Sequence, residues 1–340
     1  MVLEPTPRVY VNNALKRGKA YYEYADYTIE YGDIERYKIT DFLGRGKYSQ
    51  VFKGREERPN SSKYRECVIK VLRPIREKKI NREIKILKSL VNIENVIHLL
   101  DVVRDSETNT RSLIFPYEDH TEARALFKIF THDDIVYYMH KLLSTLDEIH
   151  AMGIFHRDLK PQNIIINHKT RVLKIIDWGL AEYYLPNTEY ATRVASLHFK
   201  APELLLGYRY YDYSLDIWSA GCILGEMIFN RTPLFNGSSN EDQLEKIIRV
   251  CGVNQLKSYM EKYKLTHPAN QLEKIYSTCP PENSWASVQA ADIRVSKKSH
   301  QRDGLIALLK DMLMVDHRRR PSAKEALGYE VFSCFSNRNE

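Results

Sequence analysis

No two of the five cysteines stand in a C-x-x-C spacing, and their number is odd. Cys67, Cys222, Cys251, Cys279 and Cys334 are widely scattered, which excludes a disulfide framework and a zinc ribbon and fits reduced thiols. No uninterrupted apolar run approaches the roughly 18 residues of a membrane span, so no membrane partner is expected. Residues 1–7 lack the charged-then-apolar pattern of a secretory signal. The expected address is therefore intracellular, and a basic cluster farther along permits nuclear as well as cytoplasmic residence. Internal repeats and low-complexity segments are missing too. What is present is the composition of a globular chain: 340 residues, 43% hydrophobic and 28% charged, with a net charge of +7. That is length for about two domains or lobes around a real core, with a mild basic excess that favours anionic partners.

Residues 1–36 read as an arm. Pro5, Pro7 and Gly18 argue against one long helix, while Tyr21, Tyr22, Tyr24, Tyr27 and Tyr31 are too aromatic for a free tail, so the arm is expected to pack on the body. Residues 37–117 form a small β-rich lobe, with strand-like runs at 37–43, 50–54, 67–72, 98–103 and 112–115. One helix interrupts them at about 78–89, where Ile80, Ile84 and Leu87 make an apolar stripe. From 118 to 335 the periodicity turns helical, as at 133–152, where Ile135, Met139, Leu142, Leu143, Leu146 and Ile149 share a face. Residues 336–340 remain as a tail. The expected class is α+β, with two lobes.

The chemistry sits in His156-Arg157-Asp158-Leu159-Lys160-Pro161-Gln162-Asn163. Fourteen residues past Asn163 stands Asp177-Trp178-Gly179. Asp158 is the candidate base for a substrate hydroxyl, Lys160 a counter-charge for a transferring phosphoryl group, and Asn163 and Asp177 hard oxygen ligands for Mg²⁺. His156 reads as a structural hydrogen-bonding group. Upstream, Leu43-Gly44-Arg45-Gly46-Lys47-Tyr48-Ser49 and Val51 form a glycine-containing turn whose backbone can approach phosphates. Such a turn alone is a weak signal; it gains weight from Lys70, nineteen residues past Val51. On a strand Val68 and Lys70 share one face, which sets an apolar group over a base and an ammonium near phosphates. Glu83 on the predicted helix offers Lys70 a carboxylate. Ala201-Pro202-Glu203 with Arg320, and Asp216, supply structural ties. In this order and spacing the set resembles the protein kinases, and the expected fold is their bilobal one.

Within that superfamily the chain resembles the catalytic α subunits of casein kinase II along nearly its whole length. The strings are Gly44-Arg45-Gly46-Lys47-Tyr48-Ser49, Asn81-Arg82-Glu83-Ile84-Lys85-Ile86-Leu87, Ile176-Asp177-Trp178-Gly179-Leu180-Ala181-Glu182, Arg193-Val194-Ala195-Ser196 and Tyr211-Asp212-Tyr213-Ser214-Leu215-Asp216. Tryptophan in Asp-Trp-Gly is the sharpest of them, and its indole N–H allows one hydrogen bond that phenylalanine cannot make. The resemblance implies a constitutively active serine/threonine kinase whose arm rests on the activation segment. It implies ATP and Mg²⁺ as cofactors with GTP accepted, and substrates whose target residue is followed by acidic residues. Nucleotide-site positions are then Leu43, Gly44, Arg45, Gly46, Lys47, Tyr48, Ser49, Val51, Val68, Lys70, Phe115, Pro116, Glu118, Ile165 and Ile176. Acidic protein substrates would meet Lys47, Arg73, Arg76, Lys78, Lys79, Arg193 and Lys200, with Arg82 and Lys85 on the same basic helix. A regulatory β-subunit dimer would dock on apolar side chains of the outer sheet face, Tyr37, Ile39, Phe52, Ile69 and Val71, to give a heterotetramer.

Departures from the family pattern are equally specific. Glu77 interrupts a lysine run, and Leu197 replaces an arginine that reads the residue just after the phosphoacceptor, so acid three residues on should matter more than acid at the first position. Pro116 lacks an N–H, but the first hinge position offers adenine only its carbonyl, and the Glu118 N–H supplies the other bond. The turn around Pro59 is longer than usual. The rival readings are a cyclin-dependent or dual-specificity kinase, disfavoured by Asp-Trp-Gly and the basic helix; a dead scaffold, disfavoured by Lys70, Asp158, Asn163 and Asp177; and a nucleic-acid binder using the basic face, disfavoured by the kinase residues around it.

Overall fold

The computed structural model describes residues 7–46, 48–57, 63–74, 76–285 and 299–336; Lys47, the turn around Pro59 and residues 337–340 of the expected tail lie outside them. The arm begins with two short helices, α1 (Asn13–Lys16) and α2 (Lys19–Tyr22). It lies along the body rather than hanging free. The Tyr10 hydroxyl donates to Asp147 at 2.7 Å, Asn13 Nδ2 to the Ala151 carbonyl at 2.9 Å and the Tyr21 hydroxyl to the Met152 carbonyl at 2.9 Å. Gly153 makes the close approach possible: its φ is +76°, and a Cβ there would lie 2.6 Å from the Ala14 nitrogen, so only glycine fits on both counts.

An antiparallel five-stranded sheet follows, in the order β1-β2-β3-β5-β4, from β1 (Tyr37–Arg45), β2 (Ser49–Glu57), β3 (Tyr64–Leu72), β4 (Asp101–Arg104) and β5 (Arg111–Pro116). Helix α3 (Glu77–Ser89) packs on it through Ile80, Ile84 and Leu87, all buried. The β2–β3 hairpin runs farther out than hydrophobic alternation indicates, because charged pairs continue it into solvent: Arg55 faces Glu66 and Glu56 faces Arg65 in register. The run expected as strand at 98–103 is strand only from Asp101. Just before this run the chain bonds the other lobe instead, with the Ile97 N–H donating to the Ile175 carbonyl at 3.0 Å and the Ile175 N–H to the Asn95 carbonyl at 2.8 Å, and it returns to the sheet with the Leu100 N–H on the Ile114 carbonyl at 2.8 Å.

After the sheet come α4 (Ala123–Phe127) and α5 (His132–Ala151), the latter opened by a capping box of Thr131 and Asp134. Two short ribbons carry the catalytic segments, β6 (Ile154–Phe155) with β9 (Glu182–Tyr183) and β7 (Ile164–Asn167) with β8 (Val172–Ile175). Helix α6 (Pro202–Leu205) and the almost wholly buried α7 (Ser214–Phe229) lead into the further described helices, Asn240–Cys251, Val253–Tyr263, Ala269–Thr278, Ser299–Met312, Ala323–Leu327 and Ser333–Ser336. No described helix is long and apolar enough to cross a membrane.

The outer sheet face corrects one expectation. Ile69 is buried, in a small cluster with Cys67, Val103 and Ile114 that Ile34, Tyr37, Phe52, Val71 and Leu100 partly cover. Alternation assigns Ile69 to the outer face, but residues just before β1 and neighbours on the sheet roof it over. The apolar side chains that remain exposed there are Ile39 and Phe42, with Phe42 edge-on to Phe52 at 5.5 Å.

Arg320 and Glu203 meet with no exposure to solvent, two N–O distances of 2.7 Å forming a fork. Removing one partner strands a buried charge, which costs about 3–5 kcal/mol. Glu203→Ala is therefore expected to lower the melting temperature by roughly 10 °C, measured by calorimetry; an unchanged Tm would show that the pair is dispensable.

Candidate active site

Lys70 is the centre of the cleft. It sits on β3, whose register pairs it with Val51 on one side and Leu113 on the other. Its ammonium lies 2.8 Å from Glu83 Oε1 on α3 and 2.8 Å from Asp177 Oδ1. Burial alone would lower the ammonium's pKa, but the two carboxylates outweigh it and raise the pKa. The same ammonium holds Asp177 down to about 2 against the opposing effect of burial, so that carboxylate is ionised throughout the physiological range. Gly179 leaves room for this triad, since a Cβ there would lie 3.3 Å from Glu83 Oε2. The Trp178 indole N–H donates to the Ile175 carbonyl at 3.3 Å, the additional bond expected of tryptophan at this position.

Asp158 lies beneath, at the end of the loop after β6. Asp216 in α7, fully buried, anchors that loop by accepting from the backbone N–H groups of His156 and Arg157, both at 2.8 Å, while the His150 ring lies 3.0 Å away. His156 is structural, with Nε2 3.0 Å from the Ile176 carbonyl. Lys160 Nζ is 2.8 Å from Asp158 Oδ2, and Asn163 Nδ2 donates to the Asp158 carbonyl at 2.8 Å. With its amide nitrogen so used, Asn163 keeps its amide oxygen for a cation. Asn163 and Asp177 line one cavity, so a hard-oxygen pair that fits Mg²⁺ is assembled. Three non-glycine residues here hold left-handed backbones, Arg157 (φ 66°), Asp177 (φ 60°) and Ala195 (φ 59°), at a cost on the order of 1 kcal/mol each.

The cavity, about 210 Å³, has a polar end at Gly46, Ser49, Lys70, Asn163 and Asp177 and an apolar end at Val51, Val68, Phe115, Pro116, Ile165 and Ile176. Its size and lining suit a purine with phosphates attached. Ile97 also lines it; sequence reasoning missed this residue by treating its surroundings as the edge of a strand. Leu43, Gly44 and Arg45 line an adjoining groove. Glu118 stands apart from the cavity lining, its carbonyl 2.8 Å from a ring nitrogen of His120. In the hinge, the Lys53 ammonium lies over the Tyr117 ring at 4.2 Å.

Of the expected substrate cations, Lys79 and Arg193 line a second cavity that also contains Tyr48, Asp158 and Lys160. Arg76 and Lys78 are exposed at the start of α3, Arg73 is half-buried before it, and Lys200 is half-buried, with burial pushing its pKa down. Two cations of the basic helix are used internally. Arg82 bonds Glu182 at 2.8 Å and the Gly179 carbonyl at 2.9 Å, and Lys85 donates to the Ala20 carbonyl at 2.6 Å and to that of Glu23. Glu77, which breaks the basic run, pairs with Arg111.

Sequence reasoning also did not foresee two polar contacts. Ser196 donates to Asp158 Oδ1 through its N–H at 2.9 Å and its hydroxyl at 3.0 Å, and the hydroxyl accepts from Lys160 at 2.9 Å. Glu182 gathers Arg82 at 2.8 Å, the Tyr24 hydroxyl of the arm at 3.2 Å and Arg157 at 3.5 Å. The Arg-Val-Ala-Ser and Trp-Gly-Leu-Ala-Glu strings contain both residues, but nothing in a linear spacing says what they touch.

Comparison with known proteins agrees with this geometry. The family model described as "Protein kinase domain" matches residues 37–332. The chain is also 46% identical over 323 residues to a protein of Encephalitozoon cuniculi (strain GB-M1) described as "Probable casein kinase II subunit alpha homolog", covering 93% of this chain and 94% of that protein.

Ser196→Ala is expected to reduce kcat about tenfold through loss of the hydroxyl that links Asp158 and Lys160, with the melting temperature unchanged. Steady-state kinetics beside a melting curve check this; an unaltered kcat would mean the contact has no part in turnover.

Proposed function

The chain belongs to the protein kinase family, in its casein kinase II α-subunit branch, and from that premise we propose that this serine/threonine kinase modifies targets followed by acidic residues and needs no phosphorylation of its own. The use of ATP and Mg²⁺ comes with the family. The observation that carries the finer reading is the cavity in which Lys79 and Arg193 flank Asp158 and Lys160: two cations next to the acceptor position favour a peptide with carboxylates.

In the proposed reaction the substrate hydroxyl comes beside Asp158, whose carboxylate Ser196 and Lys160 keep oriented. Its oxygen bonds to the γ-phosphorus, the bond from that phosphorus to the β–γ bridging oxygen breaks, ADP leaves, and the hydroxyl proton passes to Asp158. Lys160 offsets charge on the moving phosphoryl group, and Lys70, fixed by Glu83, orients the remaining phosphates. Asn163 and Asp177 would hold Mg²⁺, which when bound neutralises phosphate charge. Little covalent work falls to the protein; catalysis is mostly positioning.

Constitutive activity is supported by Glu182. In kinases switched on by phosphorylation, arginines of the helix and catalytic loop await a phosphate; here a genetically encoded carboxylate already joins Arg82 and Arg157, and Tyr24 of the arm joins them. A regulatory β-subunit dimer, giving a heterotetramer, is proposed on Ile39 and Phe42 with Phe52 behind them, and residence in nucleus and cytoplasm follows the same family reading. ATP is the favoured nucleotide, and GTP is expected to serve at a higher KM because Pro116 and the Lys53–Tyr117 contact stiffen the hinge.

Radiolabelled-ATP transfer onto serine peptides tests the whole reading. Peptides with acid three residues after the serine should exceed alanine versions about tenfold or more in kcat/KM, and Asp158→Ala should abolish transfer to both. Equal rates for acidic and neutral peptides would sink the acidic preference. Leu197→Arg is expected to add a preference for acid at the first following position, several-fold by the same assay. Deleting residues 1–31 should lower activity about fivefold or more by freeing Glu182 from the arm; full activity in the truncated chain would refute the arm's role.

A further inference from the structure

Next to the acceptor site the cleft has a second branch, and one of its cations, Arg124, has no assigned work. Among the described residues, the cavity with Lys79 and Arg193 shares Gly46, Lys160 and Ser196 alone with a larger one of about 730 Å³. This larger cavity is walled by the glycine-rich turn, α4, the catalytic loop and the turn at His198. Among the described residues its lining contains Arg45 and Arg124 and no aspartate or glutamate.

Arg124 is a built feature rather than a passing surface charge. Its Nε and Nη2 each lie 3.2 Å from the carboxylate of Glu226 on α7. Glu226 has no exposure, whereas the Arg124 side chain keeps 26%. The carboxylate is thus sealed beneath, and the groove meets only the outer edge of the guanidinium. Nη1, with its two N–H donors, has no partner among the described residues. A fork held at two corners has already lost its side-chain freedom, so a third contact costs less entropy to make.

An extended peptide whose hydroxyl sits at Asp158, between Lys160 and Ser196, has to leave through both cavities. If residues after the hydroxyl pass Lys79 and Arg193, those before it enter the larger cavity with Arg124. We propose that Arg124, held by Glu226, is a second specificity-determining residue and selects an acidic side chain in the positions immediately before the phosphoacceptor. This rests on the peptide-kinase reading above. It makes the enzyme a reader of acid on both sides of its target, by two separate sets of cations.

The test uses the full chain and a panel of serine peptides with aspartate, alanine or lysine at the three preceding positions, each with or without acid at the third following one. In the wild type, kcat/KM should fall in the order aspartate, alanine, lysine at the preceding positions, with about fivefold between the first two, the size of one charge-assisted hydrogen bond at a part-exposed site. The double variant Arg124→Met with Glu226→Leu replaces both charges and strands neither. It should erase the preceding-acid preference and keep the following-acid preference. Indifference of the wild type to preceding residues would overturn the proposal, as would a preference that survives in the double variant. The wild-type order is read whether or not the double variant folds. A following-acid effect that is absent while the preceding-acid effect is present and depends on Arg124 would count against the earlier reading alone.

Discussion

One ammonium between two carboxylates determines whether the cleft exists. Lys70 belongs to the sheet, Glu83 to the helix above it and Asp177 to the loop below, so three separate elements have to meet before both 2.8 Å contacts can form. The pair energies alone do not justify such an arrangement in a part-buried site. What it secures is registration: with the helix displaced, Lys70 would lose Glu83 and keep Asp177 alone as its carboxylate partner. Everything downstream, from the depressed pKa of Asp177 to the shared cavity with Asn163, presupposes that division of Lys70 between two acids.

A second tier of constraint lies in the helical lobe. Asp216 has no contact with the reacting atoms, yet it holds the backbone N–H groups of His156 and Arg157 and so anchors the left-handed turn at Arg157. Glu203 and Arg320 perform the same service for the segment that ends the activation region. These buried charges are expensive to desolvate, and each is satisfied by several donors or acceptors rather than one. The strained φ values at Arg157, Asp177 and Ala195 persist because this scaffold leaves no alternative.

How far the chain could be read in advance depends on what kind of relation a residue enters. Lys70, Asp158, Asn163 and Asp177 were legible because phosphoryl transfer demands those functional groups at near-fixed separations along the chain, and because each lies on an element with a clear period. Helix α3 was legible for the same reason, its stripe of Ile80, Ile84 and Leu87 matching 3.6 residues per turn. Relations that exist only in three dimensions were not. Ile97 joins the nucleotide cavity because its N–H finds a carbonyl nearly eighty residues away. Ile69 illustrates the converse: alternation tells which face a side chain occupies, not what covers that face. Arg82 and Lys85 read as free basic charge, and only folding reveals that the activation loop and the arm have claimed them.

Glu182 carries a consequence for cellular control. A phosphate added to an activation loop can be taken off again by a phosphatase; a carboxylate written into the polypeptide cannot. With Arg82, Arg157 and Tyr24 already gathered around it, this contact offers a phosphatase nothing to remove. On the proposed reading of constitutive activity, a cell that needs less of its output would turn to controlling abundance, keeping the enzyme and its targets in different compartments, or occluding the peptide groove with a competing acidic chain.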